Sequence, residues 1–206
     1  MKISVAMAYY NGGTYIEEQM ESILMQLGEK DELIVSVDGA TDGSEPLLLK
    51  LADMDRRIHI IKGPGKGVVK NFENAIRHCV GDIIYLSDQD DIWKPDKVEK
   101  TNAAFLDPEV KAVLHDAEIV DENGVPTGGE SLFSLRDSKA GILKNILKNS
   151  YVGCCMAFRR ELVPVICPIP KEMYMHDYWI GTAAEYMGRV CFLKEPLIGY
   201  RRHSSN

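Results

Sequence analysis

Four apolar runs of strand length, each followed by a turn and a helical pattern or a helix start, fill the first half of the chain. This alternation constrains the fold more than any other feature. Residues 3–8, 33–37, 58–61 and 82–87 are rich in Ile, Val and Leu and read as strands. Between them, Tyr15, Ile16, Met20, Ile23, Leu24 and Leu27 recur at helical spacing, residues 45–55 read as a second helix, and Val69, Phe72, Ala75 and Ile76 mark a third. Thr14, with Glu17 three positions on, has the spacing of an N-cap for the first helix. Strand and helix in alternation with short connections predict an α/β, Rossmann-like sheet, mixed but mostly parallel and flanked by helices. In such sheets ligands sit outside the carboxyl ends of the strands. Tyr9 to Asn11, Asp38 and Asp88 to Asp91 all fall at those ends, so they are expected to converge on one crevice.

The fourth strand runs into Ser87-Asp88-Gln89-Asp90-Asp91-Ile92-Trp93. Three carboxylates in four positions repel one another unless something neutralises them. A hard divalent cation with oxygen ligands does so, and Mg2+ usually leaves coordination positions to a phosphate-bearing substrate. The plain alternative is a solvated acidic turn ahead of a helix. The nearby Gly63-Pro64-Gly65-Lys66-Gly67 lacks the Gly-Lys-Ser/Thr ending of a phosphate loop. It reads as a flexible connection, with Lys66 and Lys70 within reach of a phosphate.

Composition narrows the classes. With 206 residues, 45% of them apolar, the chain is expected to form one globular domain around a single core. A formal net charge of −7 argues against a nucleic-acid partner. No signal peptide opens the chain and no run of 18 apolar residues occurs, so a cytoplasmic protein is expected, at most peripherally associated with the inner face of the membrane. Five cysteines at no metal-knuckle spacing read as reduced thiols.

The second half is less regular. Residues 95–105 read as a helix, 112–116 as a strand, 126–138 as a mobile loop, and 141–147 as a short helix. Residues 153–158 form another apolar run, a helix opens at Met175-His176-Asp177-Tyr178-Trp179, residues 190–193 read as a strand, and Tyr200-Arg201-Arg202-His203 closes the pattern.

Taken in order, these motifs resemble family 2 glycosyltransferases: Tyr10-Asn11 after the first strand, Val37-Asp38-Gly39-Ala40-Thr41-Asp42, and Ser87 to Trp93. Lys70-Asn71-Phe72, Gly153-Cys154, His176 to Trp179 and Tyr200 to His203 are similar to the bacterial rhamnosyltransferase-like subgroup that builds surface glycans. The resemblance runs from residue 3 to 203. It implies a GT-A fold, with residues 1–100 holding a nucleotide-sugar donor of the UDP or dTDP type and residues 101–206 holding a glycan or lipid-linked acceptor. It implies transfer with inversion, assisted by Mg2+ or Mn2+. Ala8, Tyr10, Asn11, Asp38, Lys70 and Asp88 are then the nucleotide-sugar residues, and Asp90, Asp91 and His203 the metal residues. Asp177 is the general base, and Gly153, Tyr178 and Trp179 face the acceptor. In one departure, Val37 occupies the first place of a turn that often carries two acids, which leaves Asp38 alone on the base.

The residue types suit that chemistry. Breaking a sugar–diphosphate bond leaves anionic charge that a divalent cation stabilises without a proton. Inversion needs a carboxylate on the opposite face to take the acceptor's proton. By residue type alone Asp177 reads first as a helix N-cap, a role compatible with catalysis. His176 reads as a structural hydrogen-bonder. An aspartyl phosphohydrolase fits less well, because Asp91-Ile92 follow the second Asp and the pair sits at the fourth strand. A non-catalytic nucleotide-sugar-binding protein would not need both Asp90 and Asp177.

Overall fold

The computed structural model describes residues 1–203. In chain order the elements are β1 (Ile3–Tyr9), α1 (Ile16–Leu24), β2 (Glu32–Val37), α2 (Glu45–Met54), β3 (Ile58–Lys62), α3 (Val68–His78), β4 (Ile83–Ser87), β5 (Ile92–Trp93) and α4 (Lys97–Ala104). Then follow β6 (Val110–Val120), α5 (Leu132–Arg136), α6 (Ile142–Leu147), a 3-10 turn at Gly153–Cys155, β7 (Met156–Arg159), α7 (Val163–Ile166), α8 (His176–Met187) and β8 (Arg189–Arg201). The strands form one sheet in the order β3-β2-β1-β4-β7-β6-β8-β5. β3, β2, β1 and β4 are parallel. β7 enters antiparallel between β4 and β6, β6 pairs parallel with β8, and β5 closes the edge antiparallel. The expected mixed, mostly parallel sheet is therefore present.

Side-chain alternation explains the layering. Along β1, Val5, Met7 and Tyr9 join a core with Ile16, Met20 and Ile23 of α1 and Leu48 of α2, while Ala6 faces Phe72, Ala75 and Ile76 of α3. Successive strand residues point to opposite faces, so a strand covered on both sides must be apolar throughout. Each fully buried Val, Leu or Ile contributes roughly 1.5–3 kcal/mol. Both faces of the four parallel strands are thus fixed by helices, which leaves their carboxyl ends free to carry loops.

Three local expectations are corrected. Thr14 lies in a turn, and α1 begins at Ile16 behind Tyr15 with no side-chain cap. The Tyr15 N–H donates to the Gly12 carbonyl at 3.2 Å, closing the turn that leads into the helix. Residues 126–138 are not a patternless loop. Ser131 caps α5, the Phe133 amide donates to Asp116 Oδ1 at 2.8 Å, and Leu132 and Phe133 are buried. Two apolar neighbours on so short a helix give no periodicity to read. The strands β6 and β8 are also longer than expected, because each completes the other. Bulges around His115 and Asp116 break the alternation that would have marked them. All five cysteines are free thiols.

Candidate active site

The loops at the carboxyl ends of β1, β2 and β4 enclose a crevice of about 1140 Å³. Ala8, Tyr10, Asn11, Asp38, Asp88 and Asp90 line it together with His203, so the convergence expected from topology is realised. The loops are knitted by their own polar groups. Asn11, at φ 53°, accepts from the amides of Thr41 and Asp42 at 2.7 and 3.3 Å. Gln89 clamps Tyr10 from both sides, accepting from its amide at 2.8 Å and donating to its carbonyl at 2.9 Å. Gly12 is required there, since a Cβ would stand 2.5 Å from Gln89 Cδ. Asp38 accepts from the amides of Gly65 and Gly67, which folds the glycine-rich connection over the crevice.

The acidic stretch splits into a surface and a floor. Asp90 faces the opening and meets His203, with Nε2 2.9 Å from Oδ2. Asp91 is buried, and its Oδ1 accepts from the Arg201 amide at 3.2 Å. Its Oδ2 is buried with no hydrogen-bond partner. Asp88, Asp91 and the Cys154 thiol bring ligand atoms within 4.8 Å of one another. Burial, then the charges of Asp90 and Asp177, push the Asp88 carboxyl up to about 7. Burial, with Asp88 and Asp90 beside it, pushes Asp91 well above the usual carboxylate range. Clustered carboxylates that resist ionisation, one with an orphaned oxygen, are the donor set a hard cation satisfies. The residues fit such an ion.

Asp177 stands apart from this cluster, in the first turn of α8. The N-cap is Met175, so the capping reading of Asp177 does not hold. Its Oδ1 accepts from the Tyr178 amide at 2.6 Å and from Asn149 Nδ2 at 3.4 Å. The side chain is 4% exposed, and burial raises its pKa to about 6. It is not among the residues that line the crevice. His176 beside it is stacked on Phe72 with centroids 3.9 Å apart. Neither ring nitrogen has a hydrogen-bond partner and burial lowers its pKa to about 3, so the hydrogen-bonding role expected for it is absent. Gly153 packs against this pair, since a Cβ there would lie 2.9 Å from His176 Nε2 and 3.8 Å from Asp177 Cβ. Tyr178 is half-buried beside Tyr174, ring centroids 5.6 Å apart.

Two expected site residues are engaged elsewhere. The Lys70 ammonium donates to Glu73 Oε2 and the Ile169 carbonyl, each at 2.6 Å, and does not line the crevice. The Trp179 indole donates to the Ile166 carbonyl at 3.0 Å and packs on the core, holding α7 to α8. The partners at Ile166 and Ile169 lie 13 and 99 positions away, set by how α7 and the segment after it pack, and the motif alone does not reveal them.

Other residues escaped the sequence reading. Arg201 is 1% exposed and donates to the Asp90 carbonyl at 2.8 Å, the Glu122 carbonyl at 2.7 Å and Glu18 at 2.5 Å. It holds the backbone of the acidic turn. Lys97, the first residue of α4, is fully buried and donates to the Cys154 carbonyl at 3.0 Å. Nothing in Pro95-Asp96-Lys97-Val98 distinguishes it from a solvated lysine.

The profile of glycosyl transferase family 2 matches residues 4–166. The chain belongs to that family. An uncharacterized glycosyltransferase of Nostoc, alr2836, is 28% identical over the whole of this chain and 66% of its own length. The dTDP-rhamnosyl transferase RfbG of Shigella flexneri is 25% identical over 97% of this chain and 72% of its own. Among solved structures, S. aureus TarS 1–349 in complex with UDP-GlcNAc superposes with a TM-score of 0.78 at 19% identity, covering 100% of this chain and 60% of that one. Mannosyltransferase PcManGT from Pyrobaculum calidifontis, in complex with GDP-Man and Mn2+, gives 0.69 at 21% identity over 95% and 55%. The chain thus spans about two thirds or less of the length of Nostoc alr2836 and of both solved structures. The glycosyl transferase family 2 chain has the GT-A fold, and no helix among its described residues is long and apolar enough to cross a membrane.

Proposed function

We propose that this chain is an inverting, metal-dependent glycosyltransferase. It moves a sugar from a UDP- or dTDP-linked donor to a glycan or lipid-linked acceptor in cell-surface polysaccharide synthesis, working in the cytoplasm. The observation that carries the reading is the division of carboxylates: Asp88 and Asp90 open to the crevice, and the buried Asp177 lies apart with its pKa raised to about 6. A base poised near neutrality both holds a proton and releases it readily.

In this reading the nucleotide lies along the ends of β1 and β2, over Ala8, Tyr10 and Asn11, with Asp38 at the base and Asp88 at the ribose or sugar. Asp90 and His203 at the mouth, with the carboxylates of Asp88 and Asp91 on the floor, would hold Mg2+ or Mn2+, which when bound would offset the charge of the departing diphosphate. Asp177 takes the proton from the acceptor hydroxyl on the opposite face of the sugar, with Gly153 and Tyr178 shaping the acceptor side. The Tyr178 amide orients the carboxylate through Oδ1, and burial excludes water that would compete for the sugar.

The relatives support a nucleotide-sugar donor: one is named for a dTDP-sugar, and a structural neighbour carries UDP-GlcNAc. The test is a thermal-shift screen of UDP-, dTDP- and GDP-sugars with Mn2+. Binding to the folded state raises the melting temperature by mass action. A rise with a UDP- or dTDP-sugar that needs the metal is the expected result, and no rise with any nucleotide sugar overturns the reading.

A further inference from the structure

Residues 167–175, between α7 and α8, form neither helix nor strand, yet they lead directly to Asp177. Two of their backbone bonds are local, from the Cys167 amide to the Val163 carbonyl at 2.9 Å and from the Met173 amide to the Pro170 carbonyl at 3.1 Å. A connection of this kind is held in place only when its buried backbone groups find partners on a rigid element. Ile169 supplies that tie. Its amide donates to Glu73 Oε2 at 3.1 Å, and its carbonyl accepts from Lys70 Nζ at 2.6 Å. The two side chains close the arrangement between themselves, with Lys70 Nζ 2.6 Å from Glu73 Oε2. Arg77 Nε donates to the other oxygen, Glu73 Oε1, at 3.0 Å. Residues 70, 73 and 77 share one face of α3, and Glu73 and Ile169 are both buried. A neighbouring strand usually satisfies both groups of one residue; here a charged pair on a helix does so, through charge-assisted hydrogen bonds. Phe72 of the same helix stacks on His176, so α3 holds the connection at both ends, and the second end adjoins Asp177. The helix also lines the crevice with Val68, Asn71 and Phe72.

We propose that Lys70 and Glu73 are positioning residues for sugar transfer: as a pair they dock the backbone of Ile169 on α3, and so fix Asp177 relative to the crevice that the same helix lines. Lys70 then serves the reaction without touching the nucleotide. The part that concerns transfer rests on the glycosyltransferase reading above; the docking does not.

Two substitutions at one position separate these parts. Glu73→Ala removes the acceptor of the Ile169 amide and the partner of Lys70, which leaves a buried N–H unsatisfied. Glu73→Gln keeps the size of the side chain and an oxygen for that amide. Hydrogen exchange across residues 166–180, without metal or nucleotide, reads the docking. It is expected to be at least ~10-fold faster in Glu73→Ala and near wild type in Glu73→Gln; unchanged exchange in Glu73→Ala overturns the docking. Transfer is then measured with donor, Mn2+ and acceptor. In Glu73→Ala kcat should fall at least ~10-fold with donor affinity unchanged, because a base is displaced and the donor contacts are not. Glu73→Gln should recover most of that loss. Wild-type kcat in the folded Ala variant means that the pair only supports the fold, and a loss confined to donor affinity makes the pair part of the donor site. Either result overturns the positioning role. Should Glu73→Ala fail to fold, Lys70→Met, which removes the tie to the Ile169 carbonyl and leaves the amide partnered, must show the same split between kcat and donor affinity. If wild type transfers sugar to no acceptor, the glycosyltransferase reading fails, while hydrogen exchange still decides the docking.

Discussion

The His203 imidazole and the Asp90 carboxylate meet at 2.9 Å although 113 positions separate them along the chain. Arg201 enforces the meeting: its side chain donates to the Asp90 carbonyl and its amide to Asp91, so the end of β8 and the acidic turn move as one piece. An imidazole and a carboxylate fixed at a crevice mouth are two ready cation ligands.

Asp90→Ala should therefore abolish metal-dependent donor binding and spare the fold. The substitution removes one of three neighbouring like charges, and the backbone contacts of residue 90 survive it. Unfolding free energy is expected to stay within about 1 kcal/mol of wild type, and calorimetric titration of donor with Mn2+ should show affinity lower by at least ~10-fold. Wild-type affinity in the variant would move the metal to other residues.

Trp179→Phe tests the reassignment of an expected acceptor residue. The phenyl ring keeps most of the packing and loses the donor to the Ile166 carbonyl, at a cost of about 1–2 kcal/mol in stability. The KM for acceptor should not change. A raised acceptor KM with unaltered stability would return Trp179 to the acceptor site.

Gly153→Ala acts on the base through its neighbour. The new methyl group would press on His176 Nε2, and the stacking on Phe72 leaves that ring nowhere to retreat. Displacing His176 displaces Asp177, and small misplacements of a catalytic group are costly. Transfer should fall at least ~10-fold while donor affinity is retained. Unchanged turnover would mean that the turn gives way and does not set the position of the base.

How much of this was legible in the sequence depended on whether the relevant contacts were local. Strands β1 to β4 and the helices between them followed from apolar runs such as Ile58-His59-Ile60-Ile61, and their parallel order then brought Asn11, Asp38 and Asp88 together. Partners set by tertiary packing leave no comparable signal in local sequence. Lys70 and Trp179 carry suitable side chains but turn to Glu73 and to Ile166, and Lys97 looks like any surface lysine until α4 packs its first turn inward. The α5 helix depends on Asp116, which lies in another element and accepts the Phe133 amide.

Asp177 also predicts a pH dependence of stability. Its pKa rises from 3.8 to about 6 on folding, so the folded chain binds this proton more tightly than the unfolded chain. The stabilisation is complete below pH 3.8, declines between there and pH 6, and is lost above. Relative to a neutral side chain, the ionised carboxylate at pH 8 then costs the fold about 3 kcal/mol at most. Asp177→Asn should be more stable than wild type at pH 8, by an amount that shrinks on acidification. Denaturation curves at pH 8, 6 and 4 decide it, and a variant less stable than wild type at pH 8 contradicts the burial argument.

The central claim, that Asp177 is the base that takes the acceptor's proton, is met most directly by the turnover of Asp177→Asn. The amide keeps the size of the side chain and an oxygen for the Tyr178 amide, and the donor contacts lie on other residues. Measured with donor, Mn2+ and the true acceptor, the variant is expected to bind donor as wild type does and to transfer sugar at least ~10²-fold more slowly. Transfer at a near-normal rate by a folded, donor-binding Asn variant would contradict the account.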